Sequence, residues 1–202
     1  IKNESCILTN LSWTIEKTTL QNNFRFSQIY LLNDLEAQGY AVIHPEFLEV
    51  ETIKGSAPAS GNLAILAPGT GLGEAFVGSF NGTYHPFPSE GGHCDFSPTN
   101  PLEMELLEFV KRKHKRVSWE RVISGGMGFS NIYEFFVETN KYQWDRELDE
   151  AQRQGASYFA KELFRLASRD LLIAKKTIEL YSALLGAEAG NLVLKVMATG
   201  GL

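Results

Sequence analysis

The sequence predicts an α/β protein with strands concentrated in its first half and helices in its second. Three observations lead there. LAILAP (63–68) and EAFVGSF (74–80) are short apolar runs bounded by Gly, Pro and Asn, the length and punctuation of strands. Helix-start signals accumulate after residue 97, and the last third carries long helical patterns. No internal repeat is present, and the order of elements is not a regular βαβ alternation.

In chain order, SCILTN (5–10) reads as a short strand and residues 14–23 as a helix. SQIYLLND (27–34) reads as an apolar strand ending in Asn-Asp, followed by a helix-like LEAQGYAVI. HPEFLEVETIKGSAPASG is looser, with Pro, Gly and Ser, and is the best candidate for a linker or hinge. LAILAP, the glycine turn GTGLG (69–73) and EAFVGSF come next, and Asn81-Gly82 marks a tight turn. In SPTNPLEMELLEFVKRKH, Asn100 suits an N-cap, Pro101 the first helical position and Glu103 a capping box. Leu102, Leu106, Phe109 and Val110 then fall on one helical face. SWERVISGG and FSNIYEFFVE read as helices split by Gly125-Gly126, and one long helix is expected from Ser168 to Met197. Its Gly186, Ala187, Ala189 and Gly190 would permit close approach of a neighbouring backbone.

Composition bounds the function. A chain of 202 residues, 44% apolar, can bury a real core as one large domain or two small ones. A formal net charge of -5 argues against nucleic acid as the main partner. Cys6 and Cys94 make no disulfide framework, which points to a reducing, intracellular compartment, and a cytoplasmic protein is expected. Nothing reads as a signal peptide or a membrane span; residues 171–197 are interrupted by Lys175, Lys176, Glu179, Glu188 and Lys195. The chain begins at IKNESCILTN and stops at MATGGL, each at an element boundary, and the expectation is a fragment of a longer protein.

Four stretches carry possible chemistry. In PGTGLGEAF (68–76) the glycines allow successive N–H groups to converge on a phosphate, with the Thr70 hydroxyl beside them. It lacks the Gly-Lys-Ser/Thr of a Walker A loop, and a strand follows rather than the helix of a dinucleotide fingerprint. An ordinary glycine-rich hairpin fits the same residues. In LLND (31–34), Asp34 could face a cleft as a general base toward a hydroxyl. The commoner use of Asn33 or Asp34 there is to cap the next helix.

PSEGGHCDF (88–96) is the densest cluster. His93 and Cys94 are adjacent, and neither CxxC nor HExxH occurs, so zinc is not indicated. Cys94 has no activating neighbour in sequence and is a poor candidate nucleophile. Recognition remains: Glu90 accepts hydrogen bonds, His93 can donate and accept, and Gly91-Gly92 let backbone approach, which suits a polyhydroxylated ligand. A structural turn around a buried histidine is the alternative. KRKHKR (111–116) reads as a solvated basic helix end, and Tyr133, Phe135 and Phe136 as core.

The order of LTNLSW (8–13), LLND, PGTGLG, SEGGHCDFSP (89–98), SWERVISG (118–125) and LGAEAGNLVLKVMATGGL (185–202) resembles the bacterial-type glucokinase family along nearly the whole chain. EGGHxDF together with ERVxSG is specific, and the stretches 44–62 and 138–160 are the weakest. The resemblance implies an actin-like, ribonuclease-H-like sugar kinase fold. Residues 1–44 would be the C-terminal part of a small α/β domain, and residues 45–202 a helix-rich large domain, incomplete at its C-terminal end. It implies transfer of the ATP γ-phosphoryl group to the 6-hydroxyl of glucose, with Mg²⁺ bound through the nucleotide and no dedicated protein metal site.

On the same resemblance Asp34 matches the catalytic base and Asn33 a sugar contact. Glu90, His93 and Glu120 match ligands of glucose hydroxyls, and Gly69, Thr70 and Gly71 the loop that meets the ATP phosphates. The partners implied are glucose or a related hexose and ATP, with a homodimer common in the family, and no nucleic acid or membrane. The family's N-terminal Asp-x-Gly-Gly-Thr phosphate loop and its adenosine segment are absent, so residues 1–202 alone are expected to be a weak or inactive kinase. Rival readings are a kinase of another hexose, an inactive sugar sensor on the same fold, and an actin-like nucleotide-binding scaffold.

Overall fold

The computed structural model describes residues 4–7, 12–44, 46, 48–53, 55 and 60–202. It is a mixed α/β structure, as expected. The N-terminal part holds a two-stranded antiparallel ribbon, β1 (Ser5–Ile7) and β2 (Thr14–Glu16), with Cys6 opposite Ile15. Residues 8–10 of the expected first strand lie outside the described residues. Residues 14–23 are not one helix: β2 takes the first three, and α1 (Lys17–Phe24) follows. The β-branched Thr14 and Ile15 favour the pleated ribbon over a first helical turn.

The strand expected at 27–34 is not formed either. Residues 27–33 belong to no helix or strand, and Asp34 opens α2 (Asp34–Val42). An apolar run becomes a strand only when another strand takes up its N–H and C=O groups, and no described strand lies beside this one. The start of α2 is fixed locally. Asn33 Oδ1 accepts from the Leu35 N–H at 2.9 Å, and Glu36 Oε2 accepts from the Asn33 N–H at 3.4 Å, a capping box.

The second sheet runs β3 (Leu63–Pro68), β4 (Leu72–Phe80), β5 (Thr83–Ser89), antiparallel throughout. Asn81 and Gly82 have φ of 50° and 78°, the left-handed pair of a mirror-image hairpin turn. Pro86 and Pro88 are tolerated because β5 pairs on one side only. The register sets Leu66, Glu74 and Ser89 in one row across the sheet. α2 lies on β4 and β5 with Leu35 buried.

A 3-10 turn, Gly91–His93, leads into the helical layer: α3 (Pro101–Lys111), α4 (Trp119–Ile123), α5 (Gly128–Glu138), α6 (Arg146–Arg153), α7 (Ala156–Ala167) and α8 (Leu172–Val196). Asn100 caps α3, accepting from the Glu103 N–H at 3.1 Å. Glu103 does not return a bond to Asn100: its Oε2 takes the Thr99 N–H at 2.6 Å and the Thr99 hydroxyl at 2.9 Å, so the expected reciprocal box is shifted by one residue. Leu106, Phe109, Val110, Ile132, Phe135 and Leu163 make the centre of one continuous core. Each such side chain contributes about 1.5–3 kcal/mol by leaving water. Tyr133, Phe135 and Phe136 are in that core, as expected.

α8 packs on α4, α5, α7 and β3. Its glycines leave room for a close neighbour that the described residues do not supply: among these, a Cβ on Gly186 or Gly190 would meet nothing within 4 Å. Helix contacts run through Ile173, Thr177, Leu184 and Leu192 on the opposite face. Of the expected hinge, residues 45, 47, 54 and 56–59 lie outside the described residues, and 48–53 form neither helix nor strand. No helix among the described residues is long and apolar enough to cross a membrane.

Candidate active site

The β3–β4 turn, the 3-10 turn and the starts of α2 and α4 converge on one cleft of about 740 Å³. Asn33, Asp34, Gly69, Thr70, Gly71, Glu90, His93 and Glu120 all line it. Every sequence-singled site residue is therefore in one place, although 87 positions separate Asn33 from Glu120.

Glu120 is the hinge of the arrangement. Its side chain is 16% exposed, and its Oε2 lies 3.3 Å from His93 Nδ1. Its Oε1 stands 2.7 Å from where a Cβ of Gly71 would be. One carboxylate thus touches both the 3-10 turn and the glycine loop. It is held there by a short antiparallel join between the two segments: the Trp119 N–H donates to the Cys94 carbonyl at 3.0 Å and the Phe96 N–H to the Val117 carbonyl at 2.9 Å. Phe96 and Trp119 pack edge to face beneath, with ring centroids 5.0 Å apart.

The glycine loop is fixed from the other side by SGG. The Gly125 N–H donates to the Gly69 carbonyl at 2.8 Å. A Cβ on Gly126 would overlap the Thr70 carbonyl. Gly125-Gly126, read in sequence only as a break between helices, is thus a backbone-to-backbone seat for the loop. Among the described residues, the Thr70 hydroxyl and the N–H groups of Thr70 and Gly71 make no internal hydrogen bond, which leaves donors for an anion.

His93 is not the buried histidine of the structural alternative: its side chain is 59% exposed, with Nε2 3.7 Å from Glu90 Oε2. Glu90 is more open still. In LLND the cap is formed, and a place at the cleft is compatible with it. Asn33 caps α2 through its side chain, Asp34 Oδ1 also accepts from the Leu35 N–H at 2.9 Å, and both residues border the cleft. Cys94 is exposed and unpaired. Among the described residues no group of three or more His, Cys, Asp or Glu could hold a metal ion. The basic run is a helix end of mostly paired charges: Lys111 with Glu108, Lys113 with Glu134 and Arg116 with Asp95.

Sequence reasoning missed Glu74 and Glu188. Glu74 is 1% exposed and sits directly under the 3-10 turn, where a Cβ on Gly91 would overlap its Oε2. Burial first, and then the charge of Glu188, push Glu74 up from 4.5 to about 7. A glutamate inside the apolar run LGEAFV was the available signal.

The glucokinase family model matches residues 1–202. The chain belongs to the glucokinase family. The glucokinase of Synechocystis sp. is 39% identical over 214 residues, which cover 98% of this chain and 59% of that protein. Among solved structures, a glucokinase from an Antarctic psychrotroph is 28% identical with a TM-score of 0.79, over 100% of this chain and 60% of that one. A Balamuthia mandrillaris glucokinase in complex with glucose is 28% identical with a TM-score of 0.55, over 68% of this chain and 37% of that one. The fold is thus that of the actin-like sugar kinases, as the sequence predicted. The chain spans about three fifths of the length of the relatives it matches.

Proposed function

We propose that this chain carries the sugar site and one phosphate loop of an ATP-dependent glucokinase. The observation that carries the reading is the meeting of Asp34, Glu90, His93 and Glu120 with the Gly69-Thr70-Gly71 loop in one cleft. Membership of the glucokinase family and the glucose named in the Balamuthia complex support it.

A hexose is neutral and covered with hydroxyls, each wanting a donor and an acceptor. Glu90, Glu120 and His93 supply these, and Glu120, held by its neighbours, fixes the geometry. Asn33 is a further sugar contact, although its Oδ1 already accepts from the α2 backbone, which leaves its amide N–H₂ for the ligand. Asp34 accepts the proton of the 6-hydroxyl as that oxygen attacks phosphorus. Phosphoryl transfer is mostly positioning and charge stabilisation. Gly69, Thr70 and Gly71 would hold the ATP phosphates with the free donors described above, and Mg²⁺, when present on the nucleotide, neutralises the phosphate charge. Residues 1–44 belong to the smaller lobe and 45–202 to the larger, so that closure at the cleft would exclude water. A cytoplasmic setting in glycolysis belongs to the same reading, and a homodimer would follow the form common in the family.

The test is formation of labelled glucose 6-phosphate from glucose and ATP labelled at the γ position. The chain is expected to be slow. Asp34→Asn should lower the remaining rate by about a thousandfold or to background while sugar binding persists. An Asp34→Asn protein as fast as the unaltered chain would remove Asp34 as the base. Saturable glucose binding without transfer by the full-length protein would favour the sensor reading.

A further inference from the structure

Beneath the recognition turn lies a buried group that the chemistry above does not use. Glu74 leaves the middle of a sheet row between Leu66 and Ser89. Its Oε1 is buried and, among the described residues, has no hydrogen-bond partner. Its Oε2 occupies the space that a side chain at Gly91 would need. The same residue anchors the turn through its backbone: the Ser89 hydroxyl donates to the Glu74 carbonyl at 2.9 Å and receives the Gly91 N–H at 3.1 Å. Glu188 of α8 is also fully buried, and its charge acts on Glu74. Glu188 is satisfied as a charged carboxylate, with Lys195 Nζ at 2.8 Å on Oε1 and Asn191 Nδ2 at 2.8 Å on Oε2.

Two buried carboxylates facing one ammonium cannot both stay charged cheaply. Glu188 owns the donors, so Glu74 is the one that keeps a proton. A carboxylic O–H on Glu74 would need an acceptor, and the Glu188 carboxylate is the group whose influence reaches it.

We propose that Glu74 is a positioning residue for the sugar turn: its neutral carboxyl, hydrogen-bonded through its own proton to Glu188, is the floor on which Gly91 rests and from which Glu90 and His93 are aimed. The inference rests on reading the cleft as a sugar site. Burial and the Glu188 charge place the loss of this proton near neutral pH. Once the proton is gone, repulsion between the two carboxylates drives the Glu74 side chain toward Gly91 and loosens the turn. Lys195 moderates that repulsion without cancelling it.

Other charged groups sit on the elements packed against Glu74. The turn and its flanks bring Glu90, His93 and Cys94, and α4 brings Glu120 and Arg121. Asp34, Glu36 and Tyr40 lie on α2 and Tyr84 and His85 on β5, while β3 carries none. All are retained in Glu74→Gln, so a difference between the two proteins belongs to Glu74.

The test follows the backbone amide resonances of Gly91 and Gly92 from about pH 5.5 to 8.5, in the unaltered chain and in Glu74→Gln, with glucose titrations at both ends. The unaltered chain should show a transition near neutrality and lose about fivefold in glucose affinity across it. Glu74→Gln, locked in the neutral shape, should lose the part of both changes that Glu74 causes and keep only what the retained groups such as His93 contribute. Glu188→Gln should move the Glu74 part of the transition to lower pH, because the repelling charge is gone. Gly91 shifts and affinity changes of equal size in the unaltered chain and in Glu74→Gln, or no Gly91 transition in the unaltered chain, overturn the proposal. A transition abolished by Glu74→Gln in a chain that binds no glucose at any pH would uphold the floor and refute the sugar reading.

Discussion

The chain from residue 60 onward and the chain before residue 54 are built on different terms. In the first, β4 and six helices share one core, a smaller cluster of Ala64, Leu192 and Ala198 joins β3 to α8, and Leu106, Val110, Ile132, Phe135, Leu163 and Leu184 are all fully buried. In the second, Leu35 and Gly39 are the only buried residues among those described. Trp13, Phe24, Phe26, Tyr30 and Ile53 stand exposed there. The cleft lies where the two meet, with Asp34 from the lightly packed side and Glu90, His93 and Glu120 from the rigid one. Of these three side chains Glu120 is held by packing, while Glu90 and His93 stand exposed on a turn that the rigid side anchors; the residue proposed as base arrives on a helix whose own start is set by a local cap.

Substitutions can break or sharpen this contrast. The largest effect should come from Phe135→Ala in the core, a loss of about 4 kcal/mol in urea denaturation. A loss below about 1 kcal/mol would mean that the helical layer is not tightly packed. Next comes the Glu74 proton. The folded state raises this carboxyl from 4.5 to about 7, so the stability it contributes is full below 4.5 and lost as pH rises through 7. The chain should weaken by about 3 kcal/mol across that window, and Glu74→Gln should flatten the slope. Asn100→Ala removes a cap on the rigid side and should cost about 1 kcal/mol. At the small end, Ile53→Ser, at a side chain 97% exposed, should change stability by less than about 0.5 kcal/mol. A large loss at Ile53 would show that the N-terminal part is packed more closely than its exposure implies.

What could be read from sequence divides along the same line. Helix starts are local: the Asn100 cap, Pro101 and the helical face of Leu106, Phe109 and Val110 need only near neighbours, and they held. LAILAP and EAFVGSF held because the Asn81-Gly82 turn ties the second strand to a return strand. That return strand went unread, since Pro86 and Pro88 argue against a strand until its position at the edge is known. Residues 27–34 failed for the converse reason: the apolar pattern was present, but a strand needs a partner that sequence periodicity does not supply. Gly186 and Gly190 likewise promised a neighbour that the described residues do not provide.

The site was legible as a list of residues and not as an assembly. Glu90, His93 and Glu120 were named from EGGH and WERV, yet the bridge that Glu120 makes between His93 and Gly71 depends on the join of 94–96 to 117–119. The seat that Gly125-Gly126 gives the glycine loop, and the carboxyl floor formed by Glu74, depend on contacts between distant segments. Glu188 was visible in sequence only as an interruption of an apolar helix.

The central claim is that the cleft grips a sugar. Calorimetric titration of glucose into this chain, beside the Glu90→Ala/His93→Ala double variant, tests it most directly. Saturable binding that the double variant lowers by at least about a hundredfold is the predicted result. Binding that survives the double variant unchanged, or none at all by a chain shown to be folded, would contradict it.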